Sequence, residues 1–203
     1  MEIDIKFDPA EVFDDISQYL EGLELSGGWE ITYIQSGDIT KQRYDLDNNL
    51  IYSAETLISK SPEDIAEVIL DLDSRKKWDF YLEKYEKLQS WGKNLQLIHI
   101  EQKYKWPMSN RDFVLVQGIS HEPGEKILIG WKSIDYENKP PTNSCVRGII
   151  SYSGFIITKV SETISHVTYI EKSDPAGSIP TSLIKILQRR TLNTIISLKE
   201  FMK

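Results

Sequence analysis

Side chains able to carry acid–base, nucleophilic or metal chemistry are few and scattered in this 203-residue chain: His99, His121, His166 and the single cysteine, Cys145. The histidines fall in separate strand-like segments without the local spacing of metal ligands, so they read as structural and no metal is expected. Cys145 has one neighbour able to lower its thiol pKa, Arg147, and on a strand it reads as a small core residue. No phosphate-binding loop, G-x-S-x-G elbow, H-E-x-x-H helix or C-x-x-C pair is present. The residue types point to binding rather than to bond-making, with no catalytic residue and no cofactor expected.

The elements that must position these groups fit one domain over residues 1–203, because 40% hydrophobic and 27% charged residues suffice for a single core. A net charge of -7 disfavours a nucleic-acid partner, which needs a basic face. The charge is polarised, however. Residues 1–30 carry nine acids against Lys6 alone, while residues 180–203 carry five bases against Glu200. One cysteine allows no internal disulfide and fits a reducing compartment. With no apolar run approaching about 18 residues and an acidic amino end, neither a membrane-spanning helix nor a leader peptide is expected, and the chain reads as cytoplasmic.

Asp8, Pro9 and Glu11 open a first helix with an apolar face of Phe13, Ile16 and Leu20. Residues 29–57 alternate with period 2, placing Trp29, Ile31 and Tyr33 on one face, and turn-rich stretches at 36–38 and 47–49 divide them into about three strands. Ser61-Pro62-Glu63-Asp64 starts a second helix bearing Ile65, Val68, Ile69 and Leu72, followed by a charged stretch, 71–87, that reads as a short helix or turn leading back into strand. Five or six strand-like runs then cover 95–171, interrupted by loops at 106–110, 122–124 and 137–143. A last helix from near Pro180 to about Phe201 aligns Ile184, Leu187, Ile195, Leu198 and Met202 on one stripe, with Lys185, Arg189 and Lys203 on a flank. This order is α+β with an antiparallel sheet. Residues 146–160 are apolar on both strand faces, so both must meet protein or a ligand.

Four motifs carry a family resemblance: Arg75-Lys76-Lys77-Trp78-Asp79; Tyr104-Lys105-Trp106-Pro107-Met108-Ser109-Asn110-Arg111-Asp112-Phe113-Val114; Pro140-Pro141 leading to Val146-Arg147; and Asp174-Pro175-Ala176-Gly177-Ser178-Ile179-Pro180. In this order and spacing the chain resembles a START domain, the lipid-binding domain of the steroidogenic-acute-regulatory-related transfer family. The resemblance implies a helix-grip fold, a curved antiparallel sheet wrapped around a long carboxy-terminal helix with an internal lipid tunnel. It also implies non-enzymatic binding and transfer of one lipid at membrane surfaces. An Arg111-Asp112 charge pair where a loop re-enters the sheet, and a turn at Asp174-Pro175 and Gly177 that aims the last helix, are expected to be structural.

The 106–114 stretch looks most like the phosphatidylcholine-transfer branch, which implies that Arg75 meets a phosphate. The choline-box positions of that branch are Ile100, Phe113 and Ser151 here, so one aromatic occupies them. Where the sterol-binding branches carry an interior arginine paired with an acid, Gln117 and Glu101 stand. The lipid-facing set implied is Arg75, His99, Glu101, Phe113, Gln117, Arg147 and Ser151 from the sheet side, with Ile184, Leu187, Thr191 and Ile195 from the last helix. Trp106, Met108, Lys185, Arg189 and Arg190 are expected to touch the membrane, and the carboxy-terminal helix and the loops at 106–110 and 137–143 are lid candidates. The expected partner is a phospholipid, with a sterol or other lipid as the alternative, held by a monomer. An enzyme on the same scaffold, a cyclase or hydrolase, would need His99, Glu101 and Arg147 to converge.

Overall fold

The computed structural model describes residues 6–104, 106–177 and 181–203, the side chains of 181–188 lying outside the description. Asp8 caps the first helix as its residue type predicts: its carboxylate accepts the Ala10 amide at 2.8 Å, and α1 runs Pro9–Glu24 with Phe13, Ile16, Leu20 and Leu23 buried. Three strands follow, β1 (Glu30–Gln35), β2 (Asp38–Tyr44) and β3 (Leu50–Ile58). Ser61 accepts the Asp64 amide at 3.2 Å to start α2 (Pro62–Leu70). Asp71 then takes an extended conformation and caps α3 (Leu72–Trp78), so Leu72 opens a new helix instead of continuing the stripe of α2. The remaining elements are β4 (Leu82–Trp91), β5 (Leu95–Gln102), β6 (Arg111–Glu122), β7 (Lys126–Ser133), β8 (Val146–Arg147), β9 (Ile149–Ser161), β10 (Ile164–Asp174) and α4 (Thr181–Phe201).

All strands join one ten-stranded sheet in the order β1-β2-β3-β10-β9-β7-β6-β5-β4, antiparallel throughout except for β8, which pairs parallel with β6. Register shifts in β1, β4 and β9 add bend to the sheet. The apolar face expected for β1 is not buried. As an edge strand it leaves Ile31 and Ile34 more than half exposed.

The two faces are both covered, which explains the doubly apolar strand at 146–160. On the grip face, Ile98, Phe113, Ile129, Phe155 and Val167 pack against Ile65 and Ile69 of α2, Trp78 of α3, and Ile195 and Leu198 of α4. On the opposite face Leu128, Ile156 and Ile170 meet α1. Three glycines in register across β6, β7 and β9 seat that helix: Gly118 opposes Gly130, and Gly130 opposes Gly154. A Cβ on Gly118, Gly130 or Gly154 would stand 2.0, 2.3 and 2.4 Å from Phe13, Ile16 and Leu20 respectively, successive residues of the α1 stripe.

Candidate functional site

The grip between α4 and the sheet holds a group of polar side chains centred on Arg190. Its guanidinium lies between the rings of Tyr81 and Tyr104, 4.8 and 5.1 Å from their centroids, and donates a hydrogen bond to the Tyr104 hydroxyl. Behind it Ser153 donates to the Tyr169 hydroxyl at 3.1 Å, Tyr169 donates to Glu171 at 3.0 Å, and Ser173 donates to the other Glu171 oxygen at 2.7 Å. Burial pushes the hydroxyl pKa values of Tyr104 and Tyr169 up, so both remain proton donors at neutral pH.

Arg190 lines three spaces. Beneath it is a small cavity of about 30 Å³, room for a water-sized group, walled by residues such as Arg75, Trp78, Ile100, Leu115, Trp131 and Phe155. To one side a cleft of about 770 Å³ runs among Phe80, Tyr81, Tyr104, Met108 and the Arg189, Asn193 and Ile196 row of α4. To the other, a cleft of about 540 Å³ is bounded by Tyr52, Tyr104, Ile149, Ser151, Glu171 and Thr191. The described residues thus outline clefts separated by Tyr104 and Arg190 where a tunnel was expected.

Six of the expected lipid-facing residues lie on this side of the sheet. Arg75 pairs with Asp79 at 3.3 Å and lies over the Trp131 ring at 5.1 Å. The Trp131 indole donates to the Gln117 side-chain oxygen at 2.8 Å, so that oxygen is already occupied. Phe113 and Ile195 are core residues, 2% and 0% exposed. Ser151 and Thr191 line the 540 Å³ cleft. Ile184 and Leu187 fall outside the described side chains. Tyr81, Tyr104, Tyr169 and Glu171 were not expected as site residues, although Tyr104 opens one of the quoted motifs and Tyr81 lies two residues beyond another.

The START domain profile matches residues 17–197. The chain belongs to the START domain family. START domain-containing protein 10 of Mus musculus is 23% identical over 169 residues, covering 82% of this chain and 58% of its own length. Ceramide transfer protein of Homo sapiens is 21% identical over 184 residues, covering 80% of this chain and 29% of its own length. This chain therefore spans less than two thirds of the first relative and less than a third of the second. The solved structure of human StAR-related lipid transfer protein 5 superposes with a TM-score of 0.88 at 18% identity, covering 96% of each chain, and shows that the fold is the expected helix-grip.

In this START domain three expected lipid contacts face away from the grip. β5 carries Ile98 and Ile100 inward, so the alternate residues His99 and Glu101 point to the α1 side. There His99 Nε2 lies 2.9 Å from Asp112, Arg147 donates to the same Asp112 oxygen at 2.8 Å, and Glu101 pairs with Lys84 at 2.8 Å. Burial opposes charge on Asp112, but hydrogen bonds from Arg147 and His99 outweigh it and hold the carboxyl below its usual range. Cys145 sits nearby, and burial together with the Glu101 carboxylate pushes its thiol up, away from nucleophilic character. Arg111 and Asp112 do not pair, because adjacent strand residues point to opposite faces. Arg111 instead donates to the carbonyls of Ser109, Pro175 and Ala176 at 2.6–3.1 Å and so holds the turn before α4. The 137–143 loop also lies on the α1 side, where Lys139 meets Glu86 and Arg147, and it is not a lid over the clefts.

The expected membrane contacts divide similarly. Trp106 is 92% exposed, and Met108 and exposed Arg189 line the 770 Å³ cleft beside Phe80, itself 72% exposed. Lys185 falls outside the described side chains. Arg190 does not reach a surface, being 8% exposed. The basic carboxy-terminal end is also less available than its composition suggests, since Lys199 pairs with Asp38 at 2.6 Å and Lys203 with Glu200. Among the described residues no helix is long and apolar enough to cross a membrane, and no cluster of three metal-ligating side chains occurs.

Proposed function

We propose that this START domain is a non-enzymatic carrier that holds one phospholipid-like molecule between α4 and the sheet and exchanges it at membrane surfaces, as a monomer in the cytoplasm. The observation that carries the reading is a buried polar group inside an otherwise apolar grip, opening onto clefts of about 770 and 540 Å³. Small-molecule sites commonly span about 300–1,000 Å³. The names of the relatives, ceramide transfer protein among them, support a lipid occupant. A phospholipid is favoured over a sterol because the Arg190 guanidinium group borders both clefts, whereas the Gln117 oxygen is taken by Trp131. An acid–base enzyme is disfavoured because His99, Glu101 and Arg147 point away from the grip.

Transfer answers a physical need. At about 0.8 kcal/mol per methylene, a 16-carbon chain leaving a bilayer for water loses on the order of 13 kcal/mol, so unaided desorption is slow. A carrier whose apolar walls meet the chain as it leaves removes much of that barrier. Met108 and Phe80 at one cleft, with exposed Trp106 two residues from Met108 in the chain, supply the apolar membrane contact, and Arg189 at the same cleft a basic one. Uptake then requires α4 to part from Tyr81 and Tyr104, the rings that Arg190 meets between the two clefts. The test is transfer of a labelled phospholipid from donor to acceptor vesicles by delipidated protein. Transfer well above the protein-free rate is expected, and no acceleration would overturn the reading.

A further inference from the structure

Arg190 is a charged group that folding has buried with no carboxylate in direct contact among the described residues, Glu171 and Asp79 acting on it only from beyond ion-pair distance. An arginine stays protonated, and a buried charge is costly unless paired. Yet among the described residues no carboxylate lies within 4.0 Å of its guanidinium, and one hydrogen bond, to the Tyr104 hydroxyl, is made. The nearest acids are committed elsewhere. Asp79 takes Arg75 at 3.3 Å and the Tyr81 amide at 3.2 Å, and Glu171 accepts the Tyr169 and Ser173 hydroxyls. Two tyrosine rings lie against the guanidinium, and Arg190 borders the cavity and both clefts.

We propose that Arg190 is the anchor of the bound ligand and selects a phosphate group, the lipid chains then lying along the apolar walls of the adjoining cleft. A planar fork of N–H donors matches two phosphate oxygens at once, and the low-dielectric surroundings strengthen that contact. Tyr104 occupies one of those donors until the phosphate takes its place. This proposal rests on the carrier reading. The same chemistry would also accept a soluble phosphate.

The experiment compares wild type, Arg190→Gln and Arg190→Lys, with folding verified by thermal denaturation. The probes are a fluorescent-tailed phosphatidylcholine, a diacylglycerol with the same tails, and inorganic phosphate followed by NMR. Arg190→Gln is expected to weaken phosphatidylcholine uptake by about tenfold or more while leaving diacylglycerol uptake unchanged. Arg190→Lys, which keeps the charge and loses the fork, should fall between. Equal loss of both lipids assigns Arg190 a structural role and overturns the proposal, as does no loss of either. Should Arg190→Gln fail to fold, Arg190→Lys decides alone: a selective loss of phosphatidylcholine supports the anchor, and anything else overturns it. If wild type takes up neither lipid, the carrier reading fails. Phosphate shifts abolished by Arg190→Gln would then support Arg190 as an anchor for a soluble phosphate, and shifts absent or unaltered would overturn it.

Discussion

Replacing Gly154 by alanine should lower stability and leave lipid uptake intact. Gly154 lies on the α1 face of β9, away from the clefts, and its added Cβ would stand 2.4 Å from Leu20 Cδ1 and 2.6 Å from the Ile129 carbonyl oxygen. The leucine can turn, but the carbonyl belongs to a neighbouring strand and cannot move without breaking the ladder. Overpacking of this kind costs about 1–3 kcal/mol, and a contact with fixed backbone lies at the upper end. Against it, alanine is better than glycine in a strand by about 0.5–1 kcal/mol. The net loss is about 2 kcal/mol, which at roughly 2–4 °C per kcal/mol for a chain of this size gives a Tm lower by roughly 4–8 °C. Gly118→Ala makes a useful comparison, because the three atoms nearest its Cβ all belong to the Phe13 ring, the closest 2.0 Å away, on a helix that can shift, and none is backbone. It should cost less. Thermal and urea denaturation read the stability, and uptake of a fluorescent phospholipid reads the site. A Gly154→Ala protein as stable as wild type would refute the seating of α1 on the glycine lane, and selective loss of uptake would refute the separation of the two faces.

The outer charge cluster predicts a second effect: Asp112→Asn, removing the partner of Arg147 and His99 from a side chain 3% exposed, should destabilise by about 2–3 kcal/mol near pH 7. Because the folded Asp112 pKa is depressed, its contribution is present above the unfolded value of about 3.9 and is lost as pH falls through the folded value. The gap between wild type and Asp112→Asn in urea titrations should therefore narrow below about pH 4, and a constant gap would contradict the pairing. At the proposed membrane contact, Trp106→Ser should leave Tm unchanged, since the ring is 92% exposed, and weaken vesicle capture by about tenfold. Capture should loosen only modestly with salt, because Lys199 and Lys203 are paired within the chain and Arg190 is buried. A steep salt dependence would place the contact on a different surface.

Much of the fold was legible because local rules agreed with the global one. Asp8 and Ser61 cap the helices their residue types announce, and the strand at 146–160 showed two buried faces. β4 was harder to see, since this edge strand exposes half of its side chains, buries none fully and carries little alternation. The facing of β5 could not be read from pattern, because Leu97 is buried on one side and Ile98 and Ile100 on the other. That ambiguity let His99 and Glu101 be placed inside, one residue out of phase with the strand. Arg190, expected at the membrane surface, lies inside for a different reason. Charged helix residues are usually solvated, but Arg190 stands one residue before buried Thr191 and four before Thr194 on the wall of the cavity, a row that turns it inward. The pairing of Lys199 with a strand 161 residues earlier in sequence is likewise a tertiary fact that composition does not carry.

The central claim, that the grip between α4 and the sheet holds one phospholipid, is tested most directly by native mass spectrometry of delipidated protein incubated with a total lipid extract. The account predicts one retained ligand per chain, with the mass of a phospholipid and a phosphate-bearing fragment on dissociation. A protein that retains nothing, or retains a phosphate-free lipid in preference, would contradict it.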